Sequence, residues 1–202
     1  MKKLIQYLIA LLFTLNLFSI LDGASAKEKL KPSDYRLNTA YTYVYDSSSD
    51  KIKMIFRNKV GNDYHWKSYV KLEDEKKYEY VDIDTCERAT SSIYGDCTIV
   101  GDKQYHTPFL KKTIKNGYTW KVKLPDDIKN TVNTQTITDT NATVKTKART
   151  FKHVVIVKST NKYAVSYLYF AKGHGAIKIK SKNKNEKQFH TTFELIQLTK
   201  RK

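Results

Sequence analysis

The sequence has no apolar stripe of helical period that continues for ten or more residues beyond its N-terminal 26 positions. A helix that packs on a core needs such a stripe, so this absence argues against a helical bundle. Strand-forming residues are abundant instead, among them 15 Tyr. Because aromatic and β-branched side chains favour sheets, we predict a mainly β protein with few or no helices.

Recognisable catalytic motifs are also missing. There is no Gly-x-Ser-x-Gly turn, no His-Glu-x-x-His pair and no glycine-rich phosphate loop before a helix. The carboxylate pairs Asp82/Asp84 and Asp126/Asp127 have polar neighbours typical of solvated loops. We therefore predict a protein that is not an enzyme and needs no cofactor, with a hydrolase or metalloenzyme as the alternative.

The histidines do not form a metal-binding motif. None of the five has another at i+2 or i+4, and no cluster of Cys or acidic residues surrounds any of them: His65, His106, His153, His174 and His190. A zinc or copper site assembled from separate strands is the alternative to no metal. His174 would be its best candidate, since Gly173 and Gly175 flank it, but an exposed turn residue is the simpler interpretation.

Cysteine is scarce, with Cys86 and Cys97 as the only two. An oxidising compartment favours pairing them, and a bridge that closes a loop of this size contributes roughly 3 kcal/mol. Two free thiols or a metal pair would be the alternatives. We predict a Cys86–Cys97 disulfide across a short polar connection between strands.

The N-terminus has the features of a secretory signal peptide. Lys2 and Lys3 precede a largely apolar run at residues 4–21, and Ala24-Ser25-Ala26 is a small-residue cleavage site. An uncleaved anchor helix is the alternative, because the run is nearly long enough to span a bilayer. We expect cleavage after residue 26, which would leave no transmembrane segment.

The mature chain is then expected to have a simple organisation. Residues 27–34 are polar and are predicted to form a disordered lead, and residues 35–202 a single β domain. No cysteine stands at the cleavage point. The prediction is therefore a secreted or cell-wall-associated protein with no lipid anchor.

Period-two alternation recurs along this domain, with turn signals between the candidate strands. Asn116-Gly117 predicts a hairpin between residues 113–114 and 118–124. Pro108 restricts its strand to a sheet edge or a bulge. Residues 131–141 are rich in Thr and Asn and predict either a long hairpin arm or a mobile loop, and Pro125 could begin one short helical turn.

The last third of the domain has the clearest pattern. Val144, Thr146 and Ala148 alternate with basic residues, which predicts a half-buried edge strand. Residues 154–157 are apolar throughout, which is typical of a strand covered on both faces. A Gly173-His174-Gly175 turn then precedes another alternating run.

These residues resemble a recurrent C-terminal pattern of secreted and lipid-anchored bacterial proteins of uncharacterised type. The matching pieces are TKARTF at 146–151, VVIV at 154–157, YFAKGHGAIK at 169–178 and EL at 194–195, with the aromatic alternation of residues 32–45 at the other end. The resemblance implies a single, strongly curved antiparallel sheet, a half-barrel like that of lipoprotein carriers, with no catalytic residues. Arg149 and His174 depart from the pattern, which usually has Gly and Val at these positions.

The positive charge and the many tyrosines of the chain suggest which classes of ligand the sheet would bind. The chain has 37 Lys and Arg against 20 Asp and Glu, a net charge of +17. Such a field attracts polyanions, although a lysine-rich solvated surface is the simpler alternative. A tyrosine ring has an apolar face and a polar tip, so a Tyr-lined sheet face can bind sugars, lipids or a protein strand.

We predict a non-enzymatic binding protein of the bacterial surface with a basic, Tyr-rich sheet face. Its expected partner is an anionic cell-wall polymer, an acidic lipid surface or a protein, and export argues against nucleic acid. The alternative is a carrier of a small apolar or acyl ligand in the half-barrel. The candidate ligand-binding residues are Tyr41, Tyr43, Trp66, Trp120, Tyr169, Lys178 and Lys180.

Overall fold

The computed structural model describes residues 29–48, 50–72, 75–100, 103–123 and 131–202. The predicted signal peptide and the helical turn expected at Pro125 lie outside these ranges. Lys31–Lys202 forms one compact unit. Within the described ranges, no helix has the length and apolar character needed to cross a membrane.

The described chain consists of one short 3-10 helix and twelve strands. The helix, Pro32–Tyr35, comes first. The strands are β1 (Tyr41–Ser47), β2 (Asp50–Val60), β3 (Asp63–Leu72), β4 (Glu79–Ala89), β5 (Ile93–Val100), β6 (Lys103–Lys111), β7 (Thr119–Lys123), β8 (Val132–Lys145), β9 (Thr150–Thr160), β10 (Ala164–Ala171), β11 (Gly175–Asn183) and β12 (His190–Lys200).

All twelve strands form a single antiparallel sheet, in the order β6-β5-β4-β3-β2-β1-β12-β11-β10-β9-β8-β7. The first and last strands, β1 and β12, pair at its centre, while β6 and β7 form its edges. The Trp120 indole N–H on β7 donates to the Pro108 carbonyl on β6 at 3.4 Å, so the two edges approach each other. The prediction of a single curved, nearly all-β sheet is confirmed, and its curvature makes it nearly closed.

Alternation along the strands produces the core. On β1, Tyr43 and Tyr45 face the inside of the curved sheet and are almost fully buried. Their cross-strand partners Met54 on β2 and Leu195 on β12 are buried too. Because strand side chains alternate between faces, these positions stack into one apolar layer along the inside of the sheet.

The β8–β9 hairpin is longer than its neighbours and is irregular. Its ladder shifts register at three points between Ile137 and Val144, and pairing of β9 with β10 ends at Val155. The tip then contacts β12, where the Ala148 amide donates to the Leu195 carbonyl. Val154, Val155 and Val157 are fully buried, which agrees with the predicted strand covered on both faces.

The sequence predictions of an edge strand that includes residues 146–148 and of a hairpin at Asn116-Gly117 are wrong. Residues 146–149 form the turn of the β8–β9 hairpin rather than an edge strand, and the Thr146 hydroxyl donates to the Arg149 carbonyl at 3.1 Å. Asn116-Gly117 does not join a hairpin, because the strands on either side of it, β6 and β7, lie at opposite edges of the sheet. The Gly117 amide donates instead to the Ile137 carbonyl. By contrast, residues 131–141 belong largely to β8, so the hairpin-arm alternative is the one observed.

The predicted disulfide is confirmed, but its setting differs from the prediction. Cys86 on β4 and Cys97 on β5 lie directly opposite each other in the ladder. The polar connection expected between them is mostly strand, with the reversal confined to residues 90–92. The bridge therefore fastens two paired strands at the edge of the sheet next to β6.

Candidate functional site

Residues 31–38, here called the N-terminal segment, pack against the β10–β11 turn and against β4. Tyr35 and Leu37 are buried at 1% and 4% exposure. The Gly173 amide donates to the Asp34 carbonyl at 2.6 Å, and Leu37 forms an isolated bridge with His174. Residues 32–34, which the sequence analysis placed in a disordered lead at 27–34, thus belong to the 3-10 helix Pro32–Tyr35, and Asp34 is anchored to the β10–β11 turn.

A carboxyl group is buried beneath this segment. Glu87 on β4 is 6% exposed, accepts a hydrogen bond from the Tyr94 hydroxyl at 2.5 Å and faces the Leu37 amide at 3.4 Å. Burial raises the pKa of Glu87 to about 7, and these two hydrogen bonds oppose the rise. The same burial raises the pKa values of Tyr94 and Tyr45 well above their usual range. Burial thus makes the neutral, protonated form of Glu87 more favourable than it is for an exposed carboxyl group.

Gly175 lets the N-terminal segment approach this carboxyl group. Its φ is +64°, and a Cβ there would lie 2.8 Å from a Leu37 methyl and 2.9 Å from the Tyr94 hydroxyl. Only glycine combines this backbone conformation with so close an approach. The two turn glycines of the β10–β11 connection were therefore correctly identified from the sequence, but the reason for Gly175 lies in its distant neighbours.

His174 is packed rather than exposed. Its ring makes edge contacts with Tyr41 and Phe151, and the Arg149 guanidinium lies 2.6 Å from its Nε2. Burial first, and the Arg149 charge second, lower the pKa of His174 to about 4. Arg149 and His174, the two residues that depart from the C-terminal pattern described above, are thus direct partners.

The His174 imidazole is expected to stay neutral down to about pH 5 in an NMR titration. Arg149→Gln should move its pKa upward, because one of the two causes of the shift is removed. Lys152→Gln, which removes the same charge from β9, is the matched control and should leave the His174 titration unchanged. A titration in wild type near the ordinary histidine value would contradict this arrangement.

Three of the candidate ligand-binding residues lie in the core. Tyr43 and Trp66 are fully buried, and Trp120 is 6% exposed. Tyr43 and Trp66 contact each other edge to face, with ring centroids 5.7 Å apart. The alternation of aromatic residues therefore marks positions that face the core rather than a ligand-binding surface. A ligand could reach these three side chains only if the core opened.

Lys178 and its cross-strand neighbour Tyr169 lie on the opposite face, which is also partly covered. Lys178 makes an ion pair with Glu194 at 2.8 Å, and the two side chains are only 15% and 12% exposed. Tyr169 is half-buried, and burial raises its pKa. Tyr41, also half-buried, packs on His174. Lys178 is therefore already paired with Glu194, in contrast to Lys180 two residues along the same strand.

Lys180 belongs to a second group that the sequence analysis identified only in part. Tyr167 on β10 lies between Lys158 on β9 and Lys180 on β11 in the ladder. The Phe189 ring packs 5.1 Å from Tyr167, and the Lys182 ammonium lies 5.2 Å from the Phe189 centroid. These five residues, which we call the Tyr167 face, share the side of the sheet opposite buried Ile177.

The positive charge is concentrated in this part of the chain. Residues 131–202 contain 15 Lys and Arg against three acidic residues. Each acidic side chain has a partner, since Asp139 accepts from the Asn141 amide, Glu186 from the Asn183 amide and Glu194 from Lys178. Among the described residues, none lies within ion-pair distance of Lys158, Lys180 or Lys182.

One group of metal-ligating residues comes together in the described chain. Ligand atoms of Asp63, Cys97 and His106 lie within 4.8 Å of one another. Cys97 is held in the disulfide, and Asp63 bonds to Arg88 at 2.7 Å. In the oxidised protein, the group therefore lacks the thiolate that a metal would need.

Comparisons with known proteins reveal a shared fold. No protein-family model matches the chain, and no curated protein does. A Bacteroides fragilis protein assigned as exported, with a YmcC-like fold, matches 82% of this chain and 98% of its own at a TM-score of 0.56 and 10% identity. A Parabacteroides distasonis protein assigned as a lipoprotein matches 85% of this chain and all of its own at a TM-score of 0.54 and 10% identity. The chain thus shares its fold with proteins assigned as exported or as lipoproteins, the two classes whose sequence pattern it resembles.

Proposed function

We propose that this protein is exported, has no enzymatic activity and binds an anionic polymer at the bacterial surface through the Tyr167 face. The observation that carries the proposal is the group of three lysines on this face that, among the described residues, have no acidic group within ion-pair distance. Neighbouring strands lie about 4.8 Å apart, so Lys158 and Lys180 are separated by roughly 10 Å with Tyr167 between them. Such a row can follow a chain of repeated negative charges.

A phosphate-bearing wall polymer suits this face best. Lysine is a compact, flexible point charge that pairs with phosphate oxygens without a fixed geometry. Tyr167 and Phe189 add apolar ring surface next to the charges, and such surface accepts the carbon backbone of a polyol or sugar. An acidic lipid surface offers the same phosphate chemistry and is distinguished in the experiment below.

The carrier alternative receives less support from the described interior. Its centre is filled by the large side chains of Tyr45, Trp66, Tyr94 and Phe170, each at most 2% exposed. A carrier of this architecture needs an apolar cavity of several hundred Å³. Acyl-chain binding would therefore require these side chains to move.

Binding is tested with the triple variant Lys158→Gln, Lys180→Gln, Lys182→Gln on immobilised poly(glycerol phosphate) wall polymer at low salt. Exposed ion pairs contribute about 0.2–1 kcal/mol each, so the three losses together should weaken binding by about tenfold. The matched control is Lys51→Gln, Lys67→Gln, Lys71→Gln on β2 and β3, which removes the same charge from another surface. The control should weaken binding by less than about threefold, as expected from the lost long-range field alone.

Three results would contradict this proposal. Equal losses in the two triple variants would mean that net charge alone attracts the polymer. No retention of the wild type at low salt would exclude polyanion binding. Stronger binding to vesicles of phosphatidylglycerol than to the polymer would assign the face to a lipid surface instead.

A further inference from the structure

A cleft of about 350 Å³ opens beside the N-terminal segment, away from the residues of the Tyr167 face. It is lined by Ser33, Asp34, Arg36, Asn38, Lys172 and Gly173. One wall is therefore the N-terminal segment, and the other is the β10–β11 turn. The lining contains two cationic residues, Arg36 and Lys172, against one acidic residue, Asp34.

Arg36 is held in a fixed position at this cleft. Its guanidinium lies over the Tyr64 ring at 4.6 Å, and its Nη1 donates to the Leu37 carbonyl at 3.0 Å. Lys59 lies over the same ring at 5.1 Å, so two cations share one tyrosine. Stacking and one hydrogen bond orient the planar group, which leaves its remaining N–H donors for a ligand.

The one acidic residue of the lining is already engaged. Asp34 Oδ2 accepts the Lys31 amide at 3.0 Å, which closes the turn that begins the 3-10 helix. Ser33 and Asn38 also line the cleft and add a neutral hydroxyl and a side-chain amide to it. Charged and neutral donors together are the usual recognition set for a phosphate, sulfate or carboxylate group.

We propose that this cleft binds a small anion, of the size of a phosphate or carboxylate group with a short attached chain, through Arg36. The site is separate from the Tyr167 face and does not depend on polymer binding. Its volume admits a ligand of several non-hydrogen atoms beyond the anionic group. The ligand class is therefore a small phosphate monoester or a small carboxylic acid in its ionised form.

Binding in the cleft is coupled to the buried carboxyl group through the backbone of Leu37. The Leu37 carbonyl accepts from Arg36, and its amide faces Glu87. Arg36 is the cation whose charge acts on Glu87, while Tyr94 and Trp66 are its neutral polar neighbours. An anion on Arg36 weakens the stabilisation of ionised Glu87, so binding should favour proton uptake by Glu87.

The direction of this coupling follows from linkage. A bound anion is better tolerated when Glu87 is neutral, so affinity should rise as pH falls from 8 to 5. Sulfate is the appropriate probe because it does not titrate in this range. Glu87→Gln should bind sulfate with an affinity that is nearly independent of pH, apart from the histidine contribution common to both proteins.

The experiment is an amide NMR titration of the full mature protein with sodium sulfate, against sodium chloride at equal ionic strength. We expect saturable shifts at Ser33, Asn38 and Gly173 in wild type, loss of more than about tenfold in affinity in Arg36→Gln, and partial retention in Arg36→Lys. Lys67→Gln on β3, which lies outside both proposed sites, is the charge-matched control and should bind sulfate like wild type.

Three results would overturn the inference. They are the absence of saturable shifts in wild type, equal affinity in Arg36→Gln and wild type, and equal weakening of sulfate binding by Arg36→Gln and Lys67→Gln. If sulfate binds but Glu87→Gln keeps the full pH dependence, the coupling through Leu37 is wrong. Parallel titrations with inorganic phosphate and acetate rank the anionic groups.

Discussion

Replacing Gly175 with alanine is expected to destabilise the protein by about 3–4 kcal/mol. A left-handed backbone at a non-glycine residue costs of order 1–3 kcal/mol, and overpacking adds about 1–3 kcal/mol. The added methyl would meet Leu37 and the Tyr94 hydroxyl, so the N-terminal segment must shift or the turn must deform. Urea unfolding of the oxidised mature protein measures the loss.

Gly173 provides the matched control for this prediction. Its φ of +69° is nearly the same, but a Cβ there would have no neighbour within 4 Å. Gly173→Ala should therefore lose only the backbone term, about 1–2 kcal/mol. If the two variants lose the same free energy of unfolding, the close packing of Leu37 against Gly175 does not contribute to stability.

The stability of the wild type is expected to fall by about 3 kcal/mol, through Glu87 alone, as pH rises from about 4.5 to 8. The folded pKa of Glu87 is about 7 against an ordinary value of 4.5. A raised carboxyl pKa means that the folded state binds more protons than the unfolded state between these values. Its contribution is thus fully present below pH 4.5 and is lost as pH rises through 7, at 1.36 kcal/mol per pKa unit.

The difference between wild type and Glu87→Gln isolates this contribution. His174 acts in the opposite direction, because a lowered folded pKa makes its contribution decline as pH falls through 6.5 toward 4. It is present in both proteins and cancels in the comparison. Glu87→Gln should gain stability relative to wild type as pH rises. A difference in unfolding free energy that stays constant from pH 5 to 8 would contradict the buried, neutral carboxyl group.

Local sequence patterns predicted what depends on neighbouring residues along the chain. Period-two alternation located most strands, and the turn glycines Gly173 and Gly175 were recognised because positive φ has a strong residue preference. Pro108 lies, as required, on the edge strand β6 and opposite a register shift. These features involve residues a few positions apart, and a single sequence contains that information.

Features that depend on contacts between distant segments could not be predicted. Asn116-Gly117 has the letters of a hairpin, but closure of the sheet places β6 and β7 at opposite edges. Period-two alternation shows which residues share one face of a strand. It does not show whether other parts of the protein pack on that face. Tyr43, Trp66 and Lys178 were therefore selected as candidates without any sign of their burial.

Glu87 was not selected at all, and the sequence around it offers only a weak signal. It lies next to Cys86 in a stretch of polar residues, so a solvated loop was the natural expectation. Its burial follows from the N-terminal segment, which is 50 residues away in the chain. The one hint in the sequence that Glu87 is shielded from solvent was its position directly after Cys86, a predicted disulfide cysteine.

The salt dependence of polymer binding tests the central claim most directly. For phosphate polyelectrolytes, log affinity falls linearly with log salt, with a slope of about −0.7 to −0.9 per neutralised phosphate. We predict that wild type and the Lys51/Lys67/Lys71 variant share one slope on poly(glycerol phosphate), and that the slope of the Lys158/Lys180/Lys182 variant is smaller by about 2–3. Identical slopes for all three proteins would contradict binding through the Tyr167 face.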